Sequence, residues 1–329
     1  MKLKTTKIPV LLSLIMHFTN LSAQVKNSET TAAVISVSPI VIVAPERGED
    51  LQLRVSAPAN GKKLPIIIFA HGYGSSMNDY APLVNYWASN GFVVIQPTFL
   101  DSKTLGITPQ DQRTPNIWRF RVEDVKRILD QLDLIAKNVT GLKGRLDRTR
   151  IAAVGHSYGA QTVGMLLGAR VVDANGKAGE DLSDSRIKAG ILLSAAGNGG
   201  KDLTAFAANN FPFMNPSFAQ MTKPTLIIAG DKDKSMLTTR DADWFTDAYT
   251  MSSNNKSLVT LFGAEHSLGG ISGYNVKETT DENSERVVAV QQLTLAYLQS
   301  ALYPEKQAWS ITSNKLMGNS NTIGKVESK

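Results

Sequence analysis

The chain has 329 residues, 42% of them hydrophobic, enough to bury a substantial core in one large α/β domain or in two smaller ones. Its formal charge of +6 falls to +3 once Lys2, Lys4 and Lys7 are set aside, and no run of Lys and Arg interleaves with aromatic residues, which argues against a nucleic-acid partner. There is no cysteine, so disulfides and zinc–thiolate sites are excluded and the core must hold the fold.

In chain order, the three lysines precede an apolar stretch from Ile8 to Phe18, followed by polar Thr19 and Asn20 and by small residues at Ser22 and Ala23. This pattern predicts a secretory signal over residues 1–23, cleaved after Ala23, and an exported protein, periplasmic or secreted. The apolar stretch is shorter than the roughly 20 residues a bilayer span requires, and Ser13 and His17 interrupt it, so no stable membrane span is expected. A polar leader over 24–33 follows. Val34 to Val43 and Leu51 to Ser56 read as strands separated by a Pro-Glu-Arg-Gly turn. The continuous β-branched run from Pro65 to Ala70 suits a central strand covered by helices on both faces.

Strand and helix patterns then alternate. Tyr80 to Ser89 reads as a helix and Phe92 to Gln96 as a strand. Ile117 to Ala136 reads as one long amphipathic helix carrying Trp118, Val122, Val125, Leu129 and Leu132 at spacings of three and four. Further strands are expected at Ile151 to Val154, Ile187 to Ser194, Pro224 to Ala229 and, as the last, Ser257 to Phe262; a final helix covers about Glu285 to Leu302. No Pro/Ser/Gly linker divides this alternation, which predicts one doubly wound α/β domain over 34–305, with a mostly parallel sheet between helices and a polar tail over 306–329, expected to be mobile, the alternative being a strand or helix that its sequence hides.

The pentapeptide Gly155-His156-Ser157-Tyr158-Gly159 stands between the strand ending at Val154 and a helical pattern at Ala160, Val163, Leu166 and Leu167. A strand, a G-x-S-x-G turn and a helix force a serine onto a sharp elbow with its hydroxyl exposed above the sheet, so Ser157 is a candidate nucleophile. A serine hydroxyl needs a base within reach and a third group to orient that base. Of the histidines beyond the signal, His71, His156 and His266 all follow predicted strands, where an open parallel sheet places its site. His266, closing the last strand in a glycine-bearing turn, is the expected base. His156, next to the nucleophile, points away from it and is expected to pack, and His71 is expected to serve its loop. The acid should fall between serine and histidine in chain order, in Gly230-Asp231-Lys232-Asp233. Asp233 is favoured, but the motif leaves Asp231 open. The two oxyanion amides are expected from Tyr158, after the nucleophile, and from Tyr73, in the turn after the third strand.

His71-Gly72-Tyr73-Gly74, Gly155-His156-Ser157-Tyr158-Gly159, Gly230-x-x-Asp233 and His266, in this order, resemble the α/β-hydrolase superfamily. Within it the chain is most similar to the group of dienelactone hydrolases, platelet-activating-factor acetylhydrolases and chlorophyllase-like esterases, over about Val34 to Tyr303. The resemblance implies a Ser157–His266–Asp233 triad, oxyanion amides at Tyr73 and Tyr158, and ester hydrolysis through an acyl-enzyme without metal or organic cofactor. The chain departs from dienelactone hydrolases in having no cysteine nucleophile, and from exported polyester hydrolases in having neither a Trp before the serine nor a disulfide. An amide, peptide or polyester substrate, or acyl transfer, would use the same triad; a non-catalytic binding module is less favoured because Ser157 and His266 are both present. Leu203 to Thr222 contains no charged residue but holds Phe206, Phe211, Phe213 and Phe218, where hydrolases of this superfamily often insert a cap. These rings, with Trp118 and Leu268, are the expected walls of an apolar pocket for a small or lipid-like ester, the alternative being that the rings pack a long connection onto the core.

Overall fold

A computed structural model describes residues 32–173, 175–273, 280–317 and 323–329. The expected signal and most of the leader lie outside the described residues. From Ala32 onward the chain forms one unit. Its elements are β1 (Val34–Ile42), β2 (Leu51–Pro58), β3 (Leu64–Ala70), α1 (Ala81–Ser89), β4 (Val93–Pro97), α2 (Ile117–Asp130), α3 (Leu132–Asn138), β5 (Leu146–His156) and α4 (Tyr158–Leu166). They continue with β6 (Arg170–Val171), β7 (Ile187–Leu193), α5 (Ala205–Asn210), β8 (Pro216–Ser217), β9 (Thr225–Gly230), α6 (Asp247–Thr250), β10 (Lys256–Leu261), α7 (Ser284–Leu302), α8 (Ala308–Met317) and β11 (Gly324–Ser328).

Among the described residues nine strands form one sheet in the order β1-β2-β4-β3-β5-β7-β9-β10-β11. The run from β4 to β10 is parallel, while β1, β2 and β11 pair antiparallel at the two margins. β3 shows why this sheet is buried on both faces. Ile66 and Ile68 point into the core shared with α2, α3 and α4, and Ile67 and Phe69 into the core shared with α1 and α7. Successive strand side chains alternate faces, so only an unbroken apolar run satisfies both layers. Each such side chain contributes about 1.5–3 kcal/mol by leaving water.

Two expectations need correction. The single helix over Ile117–Ala136 is two, because the backbone leaves helical geometry at Gln131 (φ −106°, ψ 17°). The polar end is also not a loose tail: α8 packs on α7 with Trp309 edge-on to Tyr297 at 5.3 Å, and β11 pairs with β10 from Ser257–Ser328 to Leu261–Gly324. β10 is therefore not the last strand. β11 carries one large apolar residue, Val326, and is held by backbone hydrogen bonds, so side-chain periodicity hides it.

The segment between β7 and β9 lies beside the C-terminal ends of the parallel strands. Thr204 starts α5 by accepting the Ala207 N–H on its side chain, and β8 pairs with β6 in a small second sheet. This is the cap-like insertion anticipated from Leu203–Thr222.

Candidate active site

Ser157 stands between β5 and α4 with φ 55° and ψ −120°, a strained conformation for a residue with a side chain. Both motif glycines have steric reasons. A Cβ on Gly159 would lie 2.0 Å from the Ala70 carbonyl oxygen, and one on Gly155 would lie 2.2 Å from that of Gly159. The elbow closes only if both positions lack a side chain. The Ser157 N–H donates to the Leu193 carbonyl at 2.9 Å, tying the turn to β7.

The Ser157 hydroxyl lies 2.8 Å from Nε2 of His266, which sits on the loop after β10. Nδ1 of the same ring is 3.0 Å from each carboxylate oxygen of Asp233, on the loop after β9. With the proton on Nδ1 facing the carboxylate, Nε2 is free to accept from serine. The Asp233 side chain is fully buried, whereas the His266 ring is 39% exposed. Asp231 is engaged elsewhere, since its Oδ1 accepts the Gly263 N–H at 2.6 Å and joins the loops after β9 and β10. Only geometry separates the two aspartates.

Tyr73 and Tyr158 border the same cavity as Ser157 and His266, their rings 6.3 Å apart. Tyr158 opens α4, where a first-turn amide has no intrahelical acceptor. The turn bearing Tyr73 is braced by Arg121 of α2. This buried guanidinium donates to the His71 carbonyl, to Asp101 Oδ1 at 2.6 Å and to Thr162 Oγ1 of α4 at 3.0 Å. It lies 4.1 Å from the Phe99 ring centroid and 4.4 Å from that of Tyr158. Asp101 Oδ2 accepts the Gly74 N–H at 3.2 Å, so one ion pair holds the turn and the elbow helix together.

His71 and His156 are both buried and neutral. His71 Nδ1–H donates to the Gly72 carbonyl at 2.7 Å and its Nε2 accepts the Phe99 N–H at 3.1 Å. Burial, with the Arg121 charge second, lowers its pKa from 6.5 to about 4. Burial, with His266 second, lowers that of His156 to about 3. Below pH 6.5 the unfolded chain takes up two protons that the folded chain refuses until about 4 and 3. Their stabilisation is complete above that range and is lost as pH falls, by up to about 1.4 kcal/mol per pH unit for each histidine. Thermal melts are expected to show a Tm several degrees lower at about pH 5 than at about pH 7.5. A flat profile would contradict the buried neutral pair.

Beside Ser157 lies a cavity of about 380 Å³ whose side chains include Phe206, Phe211, Met214, Met236, Leu237, Trp244 and Phe245. The structure divides the aromatic residues that the sequence grouped together. Phe206 and Phe211 form part of the wall, with their rings edge-on at 5.8 Å. Phe213 stands behind it, stacked on Tyr158 at 5.8 Å, and Trp118 stacks on Phe213 at 6.0 Å. Phe218 belongs to the core under α2 and α4, and Leu268 to the opposite core against α1 and α7. Trp118, Phe213, Phe218 and Leu268 therefore support the fold instead of lining the cavity, a correction to the expected walls. Sequence reasoning missed Met214, Met236, Leu237, Trp244 and Phe245. Their signal was position: four of the five follow Asp233 on the β9 side, at the end of the sheet where sites form.

The mostly parallel sheet between helices, with a serine elbow after β5, is the architecture of the α/β-hydrolase fold. Within that superfamily the chain resembles the chlorophyllase and platelet-activating-factor acetylhydrolase group: the chlorophyllase family model matches residues 22–173, just under half the chain, including the His71–Gly74 turn and the serine elbow. A platelet-activating factor acetylhydrolase of Cavia porcellus is 25% identical over 138 residues. The match covers 31% of this chain and spans 31% of that relative's length.

Proposed function

We propose that the chain is a serine hydrolase that cleaves carboxylic esters through an acyl-enzyme. The observation that carries this reading is the Ser157 hydroxyl at 2.8 Å from His266 Nε2, with Asp233 behind the same ring, at the edge of an apolar cavity. In the first half-reaction Ser157 Oγ attacks the ester carbonyl and His266 takes its proton. The oxyanion that forms faces the amides of Tyr73 and Tyr158, each worth about 3 kcal/mol in the transition state. Collapse expels the alcohol, which leaves with the proton from His266. Water then enters, gives a proton to the same nitrogen and releases the acid, restoring Ser157. Asp233 holds the imidazole tautomer and stabilises its cation. The lysine-flanked apolar stretch before Ala23 supports export, so the enzyme acts outside the cytoplasm.

The cavity favours an uncharged acyl group. Among its described lining residues only His266, Tyr73 and Tyr158 are ionisable, and none of these offers a fixed charge to a carboxylate or an ammonium group. Its size falls within the roughly 300–1,000 Å³ of small-molecule sites. A panel of nitrophenyl esters of increasing chain length, with a succinyl ester and matched anilides, tests this. Uncharged esters are expected to lead in kcat/KM, and the succinyl ester to trail by about 100-fold because its carboxylate loses water without gaining a partner. A preference for the charged ester or for the anilides would overturn the substrate reading.

A further inference from the structure

Behind the elbow runs a line of hydrogen bonds that the reaction scheme does not use. His156 Nε2 lies 2.8 Å from the backbone carbonyl of His266, and Nδ1 lies 2.8 Å from the Tyr80 hydroxyl. The Tyr80 oxygen accepts the Gly72 N–H at 3.0 Å. A carbonyl can only accept, so the proton of the neutral imidazole sits on Nε2, and Nδ1 must accept from Tyr80. The tyrosine oxygen is then left to accept from Gly72. One arrangement of protons satisfies every member, running from Gly72 through Tyr80 and His156 to His266. The two ends are the residue before Tyr73 and the backbone of the residue bearing the base.

The surroundings hold this line in place. His156 is 4% exposed and Tyr80 1%. The Tyr80 ring packs on Phe69 at 4.7 Å. A Cβ on Gly72 would stand 2.9 Å from the Tyr80 oxygen and 3.3 Å from His156 Nδ1, so a side chain there would press on the line. The His266 carbonyl also accepts from Ser194 Oγ at 2.9 Å, giving it two fixed donors. The rings of His156 and His266 are 5.1 Å apart, and burial beside His266 keeps His156 neutral down to about 3, so the inner ring adds no charge when the outer one becomes a cation.

We propose that His156 is a positioning residue: through the Tyr80 hydroxyl and the His266 carbonyl it locks the oxyanion turn and the base-bearing loop into one geometry. The proposal rests on the reading of Ser157 and His266 as nucleophile and base. Steady-state kinetics of the full-length protein on a nitrophenyl ester, with Tm measured alongside, provide the test. His156→Phe keeps a ring but removes both bonds; it is expected to lower kcat about tenfold or more with KM within about twofold, since small misplacements of reacting groups act on the chemical step. His156→Gln, whose amide can still donate to the His266 carbonyl, is expected to recover most of that loss. A His156→Phe kcat within about twofold of the parent, or a His156→Gln variant as slow as His156→Phe, overturns the proposal. If His156→Phe does not fold, Tyr80→Phe decides, because it removes only the hydroxyl. A lowered kcat at unchanged KM supports the line, and an unchanged kcat overturns it. Full activity in Ser157→Ala would instead defeat the underlying reading of the site.

Discussion

Replacing Ser157 by Ala is expected to lower kcat by at least about four orders of magnitude while leaving the fold and KM nearly unchanged. The reasoning is local. Alanine fits the elbow as serine does, because the strain at φ 55° belongs to the backbone and the close contacts belong to Gly155 and Gly159. What disappears is the hydroxyl 2.8 Å from His266 Nε2, and the cavity holds no other nucleophile in contact with that nitrogen among the described residues. Steady-state kinetics over a range of ester concentrations, with Tm as a fold control, separates this from a general loss of structure. A variant retaining more than about a hundredth of parental kcat would mean that another group attacks the ester.

The second large effect is expected at Asp233. In Asp233→Asn an amide replaces a carboxylate whose two oxygens both lie 3.0 Å from His266 Nδ1. The amide can turn its NH₂ toward the ring, which places the imidazole proton on Nε2, where it can no longer accept from serine. It also removes the negative charge that stabilises the imidazolium. The expected fall in kcat is about 10⁴. Asp231→Asn is the matched control: its carbonyl still accepts the Gly263 N–H, so kcat should remain within about threefold of the parent. Equal losses in the two variants would contradict the assigned geometry.

The elbow was legible in the sequence because its demands are covalent and steric. A strand, two glycines that admit no Cβ and a helix leave few other conformations, and the alternating elements around it define the sheet. The carboxylate that meets His266 was legible only to within two residues, since Asp231 and Asp233 share a loop and differ in which neighbour each carboxylate meets. The cavity wall was legible only in part. Phe206, Phe211, Phe213 and Phe218 look alike in an irregular segment with no periodicity to assign their sides, and the fold sends two to the cavity and two inward. The Tyr80–His156 bond joins residues 76 apart that no motif links. β11 was hidden for the opposite reason: its stability comes from main-chain pairing, which any polar sequence can supply.

That Ser157 is the nucleophile is tested most directly by peptide mass spectrometry of the protein after treatment with a fluorophosphonate ester. One phosphonyl adduct on the peptide containing Ser157, formed as ester hydrolysis is lost and absent from Ser157→Ala, is the predicted result. An intact, active protein that remains unlabelled, or an adduct on a different residue that accompanies the loss of activity, would contradict it.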